Sequence, residues 1–176
     1  MKKGYVQVYT GDGKGKTTAA LGLAFRAVGR GMKVIMFQFL KGMATGELKS
    51  AELLKPNFEI KRFAESKKFT WEMTEEELKE LKSRVREEYE ELLRILKSGE
   101  YDIVIVDEAM AAIHAGLLSV EDALRLIEEK PESVELILTG RSAPQEIIEK
   151  ADLVTEMKEI KHYYKKGVPA RVGIEI

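Results

Sequence analysis

Between Gly11 and Thr18 the chain reads GDGKGKTT, with three glycines and two lysines inside the six positions from Gly11 to Lys16 and a run rich in alanine and leucine after it. Glycines let successive backbone N–H groups curl around an anion, a helix N-terminus adds the positive end of its dipole, and a lysine answers the charge that remains. Gly11, Asp12, Gly13, Lys14, Gly15, Lys16, Thr17 and Thr18 therefore read as a phosphate-binding loop, with Lys16 against the phosphates and the Thr17 hydroxyl placed to ligate Mg²⁺. The strict pattern wants glycine at position 10, where this chain has Thr10. An ordinary glycine-rich turn capping a helix is the alternative; the strand before, the helix after and the Lys16-Thr17 pair argue against it. Asp107 and Glu108 follow the apolar run IVIV at 103–106. Carboxylates at a strand end beside such a loop are the usual second anchor for Mg²⁺, directly or through water, and Mn²⁺ suits the same oxygen donors. These residues together imply a nucleoside triphosphate with its cation. They do not choose among hydrolysis, phosphoryl transfer and alkylation, because one cradle serves all three.

The elements that must position these residues follow from periodicity. Residues 5–10, 33–39, 58–63, 101–109, 134–140 and 153–158 read as strands, 33–39 apolar on both faces as a buried parallel strand is, and 170–176 as a terminal edge strand. Helices are expected over 16–31, ending at Gly29 and Gly31, and over 46–54, ahead of Pro56. A long helix starts at a capping box of Thr74 with Glu77, carries Leu78, Leu81, Val85, Tyr89, Leu92 and Leu96 on one face, and stops at Gly99. Ser119 with Asp122 caps another, and Ser142 caps one around Pro144 to Lys150. Residues 64–72 show no regular pattern. Strand and helix alternate throughout, so the fold class is α/β, a mainly parallel sheet with helices on both faces and ligands at the C-terminal ends of the strands. No linker or repeat divides residues 1–176, and a single nucleotide-binding domain is expected.

Composition narrows the partners. Lys+Arg 29 against Asp+Glu 30 gives a formal charge of −1, which disfavours a nucleic-acid partner. Cys 0 excludes disulfides, zinc ribbons and thiol nucleophiles and suits a reducing cytoplasm. No secretory signal or bilayer-length apolar run is present, so a cytoplasmic protein with no membrane partner is expected. His114 and His162 lie apart from metal-ligand spacing and read as exposed or structural.

Several further stretches resemble the ATP:corrinoid adenosyltransferase family. Its loop of the form Gly-Asn/Asp-Gly-Lys-Gly-Lys-Thr-Thr, without the first glycine, corresponds to Gly11–Thr18. QFLKGMATGE at 38–47, FTW at 69–71, VDEA at 106–109, LTGR at 138–141 and KHYYKKGVPARVGIE at 161–175 follow in the family's order across about the whole chain. The resemblance implies a RecA-like P-loop fold and a homodimer in which the cobalt of cob(I)alamin attacks the 5′ carbon of ATP, giving adenosylcobalamin and intact triphosphate. It also implies an electron-donating reductase or flavoprotein that supplies reduced cobalt. By this analogy Thr17 and Glu108 are direct Mg²⁺ ligands with Asp107 in support, and Lys16 and Arg141 take the leaving triphosphate's charge. Phe69 and Trp71 would occupy the lower corrin face and keep an axial ligand off cobalt, with both rings on one side of an extended segment. Two buried core aromatics are the plainer account of that pair, and a solvated hairpin the plainer account of Lys161, Lys165, Lys166 and Arg171. The chain departs from the family at Met110, Ala111 and Ile176, and many members carry an N-terminal segment that closes over the site, whereas the first strand here is reached by Tyr5. A P-loop NTPase or small-molecule kinase, and a non-catalytic ATP-binding module, are the competing functions.

Overall fold

The computed structural model describes residues 2–42, 44–66 and 70–176, with the backbone alone at Trp71. Six strands, β1 (Val6–Thr10), β2 (Val34–Phe39), β3 (Phe58–Phe63), β4 (Ile103–Asp107), β5 (Glu135–Thr139) and β6 (Leu153–Glu156), form one sheet in the order β3-β2-β4-β5-β1-β6. Every pairing is parallel. Helices α1 (Lys16–Val28), α2 (Gly46–Leu53), α3 (Glu75–Ser98), α4 (Ala109–His114), α5 (Val120–Glu129) and α6 (Gln145–Lys150) connect them.

Strand side chains alternate between the two faces, and each face has its own core. Ile35, Phe37, Val104, Val106, Leu136 and Leu138 pack with Leu81, Tyr89, Leu92, Met110, Leu126 and Ile147 from α3 to α6. Val34, Met36, Ile103, Ile105 and Ile137 pack with Ala20, Ala24 and Ala27 of α1 and Ala51 of α2. The small alanines of α1 let that helix lie close to the sheet, directly behind the glycine loop. β2 is buried at all six positions, as its mostly apolar run predicts, with Gln38 its one polar residue.

Both predicted capping boxes are present, at Thr74 with Glu77 and at Ser119 with Asp122, and Gly99 ends α3 in the left-handed conformation. Three expectations are corrected. Ser142 is not the cap of α6: its φ is +50°, and Pro144 stands at the N-cap with no side-chain bond. Residues 170–176 are turns rather than an edge strand, held by Arg171 against Glu175 and by a bond from the Gly173 N–H to the Ile176 carbonyl. Helix α4 replaces the run-on of the fourth strand; its six residues are too few to show a helical period.

Candidate functional site

The parallel sheet brings the ends of β1, β4 and β5 to one edge, and the residues singled out by type and spacing meet there. The loop from Gly11 turns into α1 at Gly15, whose φ of +123° favours glycine. At Gly13 the reason is proximity: its N–H donates to the Met157 carbonyl at 2.6 Å, and a Cβ would lie 2.6 Å from that same oxygen. The Lys16 ammonium folds back across the loop and donates to the Gly11 and Gly13 carbonyls at 2.6 and 2.8 Å. Burial pushes the Lys16 amine below its usual range, the nearby Arg141 charge adds to this, and Glu108, Asp12 and Asp107 oppose it.

Asp107, at the last position of β4, has no solvent exposure. Its Oδ1 accepts the Thr17 hydroxyl at 2.9 Å and the Thr139 hydroxyl at 2.7 Å. Its Oδ2 meets the Lys41 ammonium at 2.8 Å and the Gln38 amide Nε2 at 3.4 Å. Glu108 follows in the left-handed conformation, φ +59°, uncommon for a residue with a side chain, and its N–H donates to Thr139 Oγ1 at 3.0 Å. Thr139 therefore holds both acids, the first through its hydroxyl proton and the second through its lone pair. Burial raises the Glu108 carboxyl above its ordinary range, the Asp107 charge raises it further, and Lys41, Lys16 and Arg141 pull it back. Glu47, on α2, accepts from Gln38 Nε2 at 3.0 Å; burial alone would raise its carboxyl, but hydrogen bonds from Gln38 and Thr45 and the Lys41 charge hold it below the usual range.

Gly13, Lys16, Thr17, Glu108 and Arg141 all line one cleft of about 1520 Å³. A site for one small molecule is roughly 300–1,000 Å³, so this cleft has room for more than a single nucleotide. Thr70, Met73, His114, His162, Ile174 and Ile176 line it as well. His162 accepts the Tyr164 N–H on Nδ1 at 3.0 Å, a structural role in keeping with the expectation. Lys14 does not turn to the cleft alone: its ammonium donates to the Ile174 carbonyl at 3.1 Å and lies 3.6 Å from Glu175. Trp71 sits in a 3₁₀ turn, Thr70–Glu72, rather than in extended chain, so the alternation that would align it with Phe69 does not operate; Phe69 lies outside the described residues. Lys41, Gln38, Glu47 and Thr139 are the neighbours that residue-by-residue reasoning missed. Their only signal was their place in the QFLKGMATGE and LTGR stretches.

Among the described residues no three His, Cys, Asp or Glu side chains converge. The oxygens of Thr17, Asp107 and Glu108 fit a hard cation such as Mg²⁺, which keeps waters and phosphate oxygens as its remaining ligands.

The sequence matches the family described as ATP:corrinoid adenosyltransferase BtuR/CobO/CobP over residues 2–176. It is 37% identical over 178 residues to the corrinoid adenosyltransferase of Sinorhizobium sp, covering 99% of this chain and 81% of that protein. The corrinoid adenosyltransferase of Escherichia coli (strain K12) is 37% identical over 176 residues, with 99% and 86% covered. Corrinoid adenosyltransferase CobA of Salmonella typhimurium (strain LT2) is 35% identical over 176 residues, again with 99% and 86% covered. Among solved structures, a KaiC-like protein of Pyrococcus horikoshii OT3 superposes with a TM-score of 0.57 at 17% identity over 90% of this chain and 75% of that one, a likeness of fold alone. Full-length similarity to these relatives and the six quoted stretches in register agree, and the chain belongs to the ATP:corrinoid adenosyltransferase family.

Proposed function

We propose that the protein transfers the 5′-deoxyadenosyl group of ATP to the cobalt of cob(I)alamin or a related corrinoid and releases inorganic triphosphate. The observation that carries this reading is the convergence of Gly13 to Thr18, Glu108 and Arg141 on one cleft, with Asp107 buried directly behind Thr17, in a chain of this family.

In the reaction the cobalt electron pair forms the bond to the ribose C5′ while the C5′–O bond breaks and its electrons pass to the departing triphosphate. The protein's task is to hold C5′ in line with cobalt and to meet charge on the leaving group. The loop N–H groups and Lys16 are assigned to the triphosphate, Lys16 exchanging the Gly11 and Gly13 carbonyls for phosphate oxygens. Arg141, exposed in the cleft, is assigned to the same charge. Thr17 and Glu108 would hold Mg²⁺, or Mn²⁺ in its place, with Asp107 in support: because the Thr17 hydroxyl donates its hydrogen bond to Asp107, the Thr17 lone pairs remain available for the cation. The bound cation supplies charge neutralisation of the triphosphate. Phe69 and Trp71 are assigned to the lower corrin face, where excluding an axial ligand favours reduced cobalt. A homodimer, a cytoplasmic setting and an electron-donating reductase or flavoprotein complete the proposal.

The test is to mix ATP, Mg²⁺ and chemically reduced cobalamin with the protein and follow the visible spectrum and phosphorus NMR together. Triphosphate should form in step with adenosylcobalamin. Stoichiometric ADP or orthophosphate would replace this reading with a kinase or NTPase, and nucleotide binding without turnover would leave a non-catalytic module.

A further inference from the structure

We propose that Lys41 is a positioning residue whose ammonium serves as the internal counter-ion of Asp107, competes with the divalent cation for that carboxylate, and yields it as the cation binds. This rests on the reading of Thr17, Asp107 and Glu108 as the cation's holders.

Asp107 is fully buried, and a carboxylate out of water needs a compensating charge as well as hydrogen bonds. The Thr17 and Thr139 hydroxyls satisfy Oδ1 but bring no charge. On Oδ2 the Lys41 ammonium at 2.8 Å supplies it, beside the neutral amide of Gln38. A cation that draws on Asp107, directly or through water, therefore meets a positive charge already in contact with the same carboxylate, and two cations so close repel.

The surroundings give Lys41 somewhere to go. Its ammonium is also 3.6 Å from Glu47 Oε1, and the Gln38 amide touches both acids, so Glu47 is a second seat reached by a small swing of the side chain. Lys41 belongs to the connection between β2 and α2, next to Leu40 in the left-handed conformation, and it lines the cleft rather than the core. Released from Asp107, the same ammonium remains on the lining of the cleft that also holds the glycine loop. The affinity of the acid pair for its cation is thus set by how readily Lys41 lets go.

The experiment measures Mn²⁺ binding to the full chain by electron paramagnetic resonance at neutral pH, without nucleotide. Lys41→Met should bind Mn²⁺ roughly tenfold or more tightly than the unaltered protein, because the competing charge is gone, while Lys41→Arg should stay close to the unaltered protein. Lys41→Met should also melt lower without Mn²⁺ and recover more of its melting temperature when Mn²⁺ is added than the unaltered protein gains. Lys41→Gln repeats both measurements should the methionine variant fold poorly. Equal or weaker Mn²⁺ binding in the charge-free variants, with a lowered melting temperature that Mn²⁺ does not specifically restore, would make Lys41 a plain structural ion pair and overturn the proposal. Glu108→Gln separates the two levels: if it leaves Mn²⁺ binding unchanged, the cation reading itself falls, and the role of Lys41 with it.

Discussion

Thr139 joins more of the site than any other small side chain. It spans Asp107 Oδ1 and the Glu108 N–H, so Thr139→Val, nearly the same size, removes both bonds, leaving Asp107 Oδ1 with the Thr17 hydroxyl alone and the Glu108 N–H without this partner. Such a loss costs about 1–3 kcal/mol, and we expect a melting shift of that size together with weaker Mg²⁺ dependence of turnover, measured by denaturation and by a cation titration. Lys16→Ala and Thr17→Ala should behave differently: turnover should vanish with the fold retained, since neither side chain belongs to an apolar core. Near-normal activity in either would remove the loop from the phosphate role. The difference between what sequence revealed and what it hid is physical here. The loop and the acid pair were legible because phosphate and cation chemistry restrict residue types over a few consecutive positions. Lys41, Gln38 and Thr139 act by meeting Asp107 from other elements, and Glu47 by meeting Gln38 and Lys41, and no local spacing encodes a contact between elements.

At the scale of elements, the strands and long helices were legible because period and caps are local. The tail was not. ARVGIEI alternates as a strand does, yet Gly173 has φ +77° and Glu175 reaches back to Arg171 and Tyr163, contacts that a flat strand would prevent. The resulting turn is tied to the phosphate loop through Lys14, which meets Glu175 and the Ile174 carbonyl. The Arg171 guanidinium, helped by the Tyr163 hydroxyl, holds the Glu175 carboxyl down at about 2. A lowered carboxylate pKa stabilises the arrangement fully above the unfolded value, about 4.3, and that contribution is lost as pH falls toward 2. Acidification through this window should therefore loosen residues 163–176 before the sheet melts, seen as rising amide exchange in the tail while β-sheet amides stay protected. Glu175→Gln should give the loosened tail at neutral pH; unchanged tail protection would mean that other contacts hold it. Helix α4 was hidden for a related reason. Its place is set by Gly140, φ +146°, where a Cβ would lie 2.6 Å from Met110 Cβ, so a close contact between β5 and α4 fixes what six residues of helix could not announce.

The whole molecule divides its work across the cleft. The ends of β1, β4 and β5 carry the loop and acids, while Thr70 and Met73, just before α3, line the same cleft. The loop and acids are anchored at strand ends, whereas Thr70 to Met73 lie outside the sheet, so a change there should leave nucleotide binding intact. Trp71→Ala tests this division. If Trp71 guards the lower corrin face, its loss admits water or the corrinoid's own base to cobalt and makes Co(II) harder to reduce. Activity from cob(II)alamin with a mild reductant should then collapse, activity from pre-reduced cob(I)alamin should fall much less, and ATP affinity should be unchanged. A core role predicts another pattern: truncating a large buried aromatic costs about 3–5 kcal/mol, and both activities would drop together with the melting temperature. Equal losses from the two cobalt states, accompanied by unfolding, would therefore withdraw Trp71 from the corrin face while leaving the phosphate side of the cleft as described.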